Sequence, residues 1–142
     1  MELAKKPEDS LAAFQNYLET GDGDYLSEVH YRRGRLFDQR GDHEEAIKSF
    51  LAYRESQNKT HSAEVELRLG GLYEKTENFT AAVSALERHL EQVDDEQAES
   101  RIHYQIGILH QKSGRPKLAI QSFETTRNSE QFRNDGPLLG LL

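Results

Sequence analysis

The sequence predicts an all-α solenoid of stacked antiparallel helix pairs, and three observations carry that reading. Gly34, Gly70 and Gly107 are separated by 36 and then 37 residues. Ala46, Ala82 and Ala119 repeat the same two steps, as do Phe50, Leu86 and Phe123. Within every unit the step from Gly to Ala is 12 residues. A fixed period in this range marks a repeat array, in which each unit buries its apolar face only against its neighbours.

The first helix of each unit is expected roughly over Glu28–Arg40, Ala63–Thr76 and Ser100–Lys112. Each has apolar residues at helical spacing, as in Val29, Tyr31, Leu36 and Phe37, or Ile102, Tyr104, Ile106 and Leu109. A turn follows each. Gly41-Asp42 before Glu45 predicts a capping box, with Asp42 as the cap and Glu45 reaching back. Gly114-Arg115-Pro116 puts a proline at the start of the next helix. Glu77-Asn78 is a weaker form of the same signal. Second helices are then expected over Glu44–Glu55, Thr80–Val93 and Lys117–Thr126.

The glycines have a steric reason. A glycine inside a helix costs about 1 kcal/mol relative to alanine. One that recurs at a single register marks a close approach of the two helices of a pair. Ala46, Ala82 and Ala119 then belong to the facing helix. Phe50, Leu86 and Phe123, one turn on, are expected to fill the space between adjacent units.

This spacing resembles the tetratricopeptide repeat family. That family's pattern has a Leu-Gly pair, an aromatic three residues after the Gly, and a later Ala followed by Phe four residues on. The matches are Gly34, Phe37, Ala46 and Phe50; Leu69-Gly70, Tyr73, Ala82 and Leu86; and Ile106-Gly107, His110, Ala119 and Phe123. No Trp opens a unit, Arg33 stands where Leu is usual, His110 replaces the aromatic, and no Pro closes a unit. The resemblance covers residues 28–126. It implies a right-handed superhelix over one domain, residues 1–142. Its units would be 27–62, 63–99 and 100–136, with a partial second helix at 7–19 and a truncated unit or tail at 137–142. The residues beyond the family's shorter period lie between units, near Ser56–Ser62 and Val93–Glu99.

Ser10, Phe14 and Tyr17 stand 36 residues before Ala46, Phe50 and Tyr53, so Pro7–Glu19 reads as a second helix without its first. The apolar Pro137-Leu138-Leu139-Gly140-Leu141-Leu142 falls where another unit would begin. The sequence thus reads either as a piece of a longer array or as an array with reduced caps at its ends, and the apolar tail favours the first, because terminal caps normally show a polar outer face.

Composition narrows the function. The 142 residues are 35% hydrophobic and 30% charged, which suits an array rich in surface. A net charge of −7 argues against nucleic acid as the main partner, because a phosphate-binding surface needs a basic excess. No apolar run reaches the length of a membrane span. There is no cysteine, which removes disulfides, thiol catalysis and Cys-ligated zinc but leaves the compartment open.

No catalytic, cofactor or metal site is expected. The six histidines include no i, i+4 pair of the helical zinc type. Asp94-Asp95-Glu96 lacks the glycine and ligand alternation of a calcium loop and reads as a solvated linker. Asp22-Gly23-Asp24 reads as a turn. Asn58-Lys59-Thr60 and Asn78-Phe79-Thr80 match the glycosylation pattern, which is common by chance.

The resemblance places the ligand groove on the first helices. Positions three before, one after and four after the Gly share a helix face. They hold Tyr31, Arg35 and Asp38, then Leu67, Gly71 and Glu74, then Tyr104, Ile108 and Gln111. The candidate groove residues are therefore Tyr31, Arg35, Leu67, Arg68, Gly71, Arg101, Tyr104 and Ile108. An apolar stripe with a charged rim suits a peptide or helix with apolar anchors. Against this, Tyr31 and Tyr104 would also serve as packing between helices. Arg35, Arg68 and Arg101 are spaced 33 and 33, which makes a diagonal row. Glu28, Asp38, Glu64 and Glu74 are expected to neutralise it. Some family members grip a terminal carboxylate with Lys and Asn. Here Tyr31, Arg35, Arg68, Arg101 and Gln105 stand at those positions, with no Asn, so that activity is not expected. The expected function is a non-catalytic interaction scaffold for a protein or peptide partner. The alternative is a homo-oligomeric assembly module joined through its open helical ends or apolar tail.

Overall fold

Seven α-helices and no strand make up the regular structure of residues 7–20 and 25–128, the part of the chain that the computed structural model describes. They are α1 Pro7–Thr20, α2 Leu26–Arg40, α3 His43–Glu55, α4 Ser62–Lys75, α5 Phe79–Leu90, α6 Glu96–Lys112 and α7 Pro116–Asn128. The expected Asp22-Gly23-Asp24 turn and the Pro137–Leu142 segment lie outside the described residues.

The chain divides into two compact units, Met1–Val65 and Glu66–Leu142. In the first, α2 pairs with α3. A Cβ added to Gly34 would stand 2.5 Å from Cε1 of Phe50, closer than any side chain tolerates. In the second, a Cβ on Gly70 would stand 2.7 Å from Leu86 Cδ2, and one on Gly107 would stand 2.5 Å from Phe123 Cε1. Each large residue thus seats on the glycine of its own pair, and Leu86 also packs against α6 of the following unit, as the sequence suggested. Ala46, Ala82 and Ala119 are buried on the facing helices. The second unit's core joins Ala82, Val83 and Leu86 of α5 to Ile102, Ile106 and Leu109 of α6, with Tyr73, Phe79 and Leu90 against them. Burying each large apolar side chain is worth about 1.5–3 kcal/mol.

The first helices end alike. The N–H groups of Asp42, Asn78 and Arg115 donate to the carbonyls of Phe37, Tyr73 and His110 at 2.9, 2.8 and 2.8 Å. This is the Schellman closure, which needs a left-handed residue just past the helix. Gly41 (φ 79°) and Gly114 (φ 74°) supply it in two units, and Glu77 (φ 61°) must supply it in the third.

Two local expectations are corrected. The Asp42–Glu45 capping box does not form: Asp42 makes no side-chain cap and lies 3.5 Å from Arg40 Nε, while Glu45 accepts from Lys48. Asn78, the weaker signal, is the residue that caps, accepting from Ala81 N at 3.4 Å. The linker at residues 93–99 is also shorter than expected. Asp95 accepts from Gln97 N at 3.1 Å and starts α6 four residues before Ser100. The acidic run is thus partly a helix start, where carboxylates favour the dipole.

Candidate functional site

Tyr31 is the residue where the groove and packing roles compete, and only 5% of it is exposed. Its ring lies flat on the imidazole of His61, with centroids 3.7 Å apart and planes 6° apart. Its hydroxyl donates to Glu64 Oε1 at 2.7 Å. Burial, together with the Glu64 carboxylate, pushes the Tyr31 phenol above its ordinary value. Glu28 Oε2 lies 2.9 Å from His61 Nε2, and Glu28 Oε1 accepts from Arg32 Nε at 2.9 Å. Burial alone would push the Glu28 carboxyl up, but the hydrogen bonds and charges of Arg32 and His61 outweigh it and hold the group below its ordinary value. Tyr53, buried behind this cluster, accepts from the His61 N–H at 2.6 Å. Burial pushes the Tyr53 phenol up, helped by the Glu28 and Glu64 charges and opposed by the His61 N–H. The cluster locks the α3–α4 connection onto α2. Of this unit's candidates, only Arg35 is exposed, with its guanidinium 5.6 Å from the centre of the Tyr31 ring.

The second unit holds the other candidates on α4 and α6. Leu67 is 40% exposed. Gly71 has no atom within 4 Å of where a Cβ would stand, so the surface there is open. Tyr104 and Ile108 of α6 are half-buried, and the Tyr104 ring tilts against Phe123 at 5.6 Å. Arg101 is exposed, while Arg68 is half-buried and engaged. Lys112 Nζ donates to Glu74 Oε2 at 2.7 Å and so ties α6 to α4 along this face. Glu28 is taken up by Arg32 and His61, and Glu74 by Lys112. Glu28 and Glu74, two of the four acids expected to neutralise an arginine row, thus serve partners the sequence reading did not name. His61 lies in a connection outside the repeat register, so no periodic signal marked it. Glu74 and Lys112 stand four and five residues after their glycines, and that shared face was visible in the sequence.

Among the described residues no three metal-ligating side chains come together, and no helix is long and apolar enough to cross a membrane. The sequon asparagines have local structural work: Asn58 Oδ1 accepts from Thr60 N at 2.8 Å, and Asn78 caps α5.

The sequence profile of the tetratricopeptide repeat matches residues 4–63 and 31–99. The chain belongs to the tetratricopeptide repeat family. Members of this family are generally non-catalytic scaffolds for protein–protein interaction. No curated protein matches the chain. Solved structures similar to this tetratricopeptide repeat chain include MamA, at a TM-score of 0.67 and 21% identity over 88% of this chain and 69% of that one. MamA 41-end from Desulfovibrio magneticus RS-1 aligns at 0.65 and 18% identity, over 88% and 67%. A chain of the APC/C hetero-tetramer Cut9–Hcn1 aligns at 0.59 and 22% identity, over 91% of this chain but 24% of that one. At these identities the likeness is one of fold: helical repeat solenoids.

Proposed function

We propose that this tetratricopeptide repeat chain binds a partner protein through the α4/α6 face of its second unit. The partner supplies an extended or helical segment with apolar anchors. The observation that carries the reading is Leu67, a large apolar side chain left 40% exposed beside the open Gly71. Tyr104 and Ile108 extend the apolar stripe, and Arg101 with the Glu74–Lys112 pair supplies a polar rim. Tyr31 serves this function indirectly, by holding α2 against the α3–α4 connection.

The test is the affinity of an isolated partner for Leu67→Ser with Tyr104→Ala. This double variant should keep its helicity and bind the partner about tenfold more weakly, the loss expected from one or two apolar anchors. Arg101→Ala should have a smaller effect that fades with salt. Unchanged affinity in the double variant would move the site to another face.

A second reading rests on α7, where Leu118 is 40% and Ile120 52% exposed. On that reading the chain assembles with copies of itself through α7. Sedimentation over a concentration series would then show association in the parent chain and its loss in Ile120→Glu.

A further inference from the structure

In every complete pair, the first helix seats a glycine on a large side chain of the second: Gly34 on Phe50, Gly70 on Leu86, Gly107 on Phe123. Phe14 of α1 stands 36 residues before Phe50, in the same register, and Ser10 holds the register of Ala46. Ala46 and Phe50 are wholly buried, but Ser10 and Phe14 are partly exposed. They line an open cleft of about 600 Å3 between α1 and α2, whose other wall includes Arg32, Arg35 and Leu36. The cleft has the small residue, the ring and the apolar neighbour against which a first helix packs elsewhere in this chain.

The charges of the cleft restrict what fills it. Among the described residues, two guanidiniums, of Arg32 and Arg35, and one carboxylate, of Asp9, line it. Arg32 is shared with Glu28 of its own helix, and Arg35 stands over the Tyr31 ring. In a chain of net charge −7, the described lining residues thus carry one cation in excess, and Arg35 is the one not paired within its helix to a carboxylate. The second unit shows how one first helix meets the next: α4 gives Glu74, four residues after its glycine, to Lys112 of α6. Gln39 of α2 holds the register of Lys112 and also lines the cleft, one turn from Arg35.

We propose that this cleft docks an amphipathic helix of a partner protein, with Gly or Ala seated on Phe14 and a carboxylate one turn further on, toward Arg35 and Gln39. The described first helices α2, α4 and α6 already seat their glycines in their own pairs, so none of them in a second copy is spare to fill it. The site is separate from the α4/α6 face, so the two stand or fall independently.

The test uses the full chain and a synthetic peptide with the sequence of residues 62–75, which carries the Gly70 and Glu74 pattern. Titration is followed by calorimetry and by NMR of phenylalanine-labelled protein, with the Phe14 signals assigned from Phe14→Leu. The Phe14 signals should shift on binding. A Gly70→Leu peptide and an Arg35→Glu protein should each bind about tenfold more weakly, as overpacking or charge reversal requires, with the protein's helicity unchanged. Three results would overturn the proposal. One is equal binding by the Gly70→Leu peptide. Another is shifts confined to Phe123 or Phe50, or no binding at all. The third is a parent chain already filled in itself, shown by a doubled mass that Phe14→Asp halves or by Phe14 shifts on removing residues 129–142.

Discussion

The imidazole of His61 stacks on the ring of Tyr31 at 3.7 Å, and its Nε2 lies 2.9 Å from Glu28, 33 residues earlier in the chain. One side chain from an irregular connection therefore joins α2 to the start of α4. Aromatic pairs add about 0.5–1.5 kcal/mol beyond the area they bury. His61→Ala should lower the unfolding free energy by about 1–2 kcal/mol once the Glu28 contact is included. His61→Phe should recover the stacking part only. Urea midpoints for the three proteins check this, and an unchanged midpoint in His61→Ala would remove the cluster's structural role.

The repeat glycines should differ in their tolerance of a methyl group. Phe50 is fully enclosed, whereas Phe123 is partly exposed and has room to give. Gly34→Ala should therefore cost more than Gly107→Ala, within the roughly 1–3 kcal/mol of overpacking. Gly71→Ala meets nothing and should gain up to about 1 kcal/mol from helix propensity. Thermal midpoints in the order Gly71→Ala, Gly107→Ala, Gly34→Ala, from highest to lowest, are the expected result.

Glu77 occupies the left-handed position that Gly41 and Gly114 fill in the other units. A non-glycine residue there costs about 1–2 kcal/mol. Its exposed side chain has little packing to lose, so Glu77→Gly should raise stability by about 1 kcal/mol after the entropy of the freer unfolded chain is subtracted. Gly114→Glu should lower it. Denaturant titration of both variants checks the pair of signs.

Acid should destabilise the fold in two stages. Burial and the Arg33 charge hold His30 below its ordinary value of 6.5. Burial and Arg115 do the same for His110, opposed by Glu87. The unfolded chain therefore takes up these protons first as pH falls. Their contribution is complete above pH 6.5 and is lost as pH drops toward the lowered folded values. Glu28, held below its ordinary 4.5, adds a second loss as pH falls below 4.5. His30→Phe should flatten the first stage and Glu28→Gln the second. Unfolding free energies measured from pH 8 to 2 would show both.

Most of the fold was legible because the repeat is written in backbone-packing residues. Gly34, Gly70 and Gly107 announce a helix pair wherever they occur, and the structure pairs the helices as their spacing implies. The misreadings of the helix caps share one cause. Asp42, Asp95 and Asn78 are all competent caps, and the choice among them depends on which neighbour competes for the carboxylate. Arg40 draws Asp42 away, and sequence spacing does not reveal that. The candidate site was legible by face but not by burial. Tyr31 and Tyr104 hold equivalent register positions, yet Tyr31 is buried under His61 while Tyr104 is half-buried against Phe123.

The central claim is that partners bind the α4/α6 face, and a photo-reactive residue at position 67 of the intact protein tests it most directly. Position 88, exposed on α5, is the control. After irradiation in extract from the source cell, the account predicts a discrete crosslink to another polypeptide from position 67, abolished by Tyr104→Ala with Ile108→Ala, and none from position 88. The same crosslink from both positions, or from position 88 alone, would contradict it.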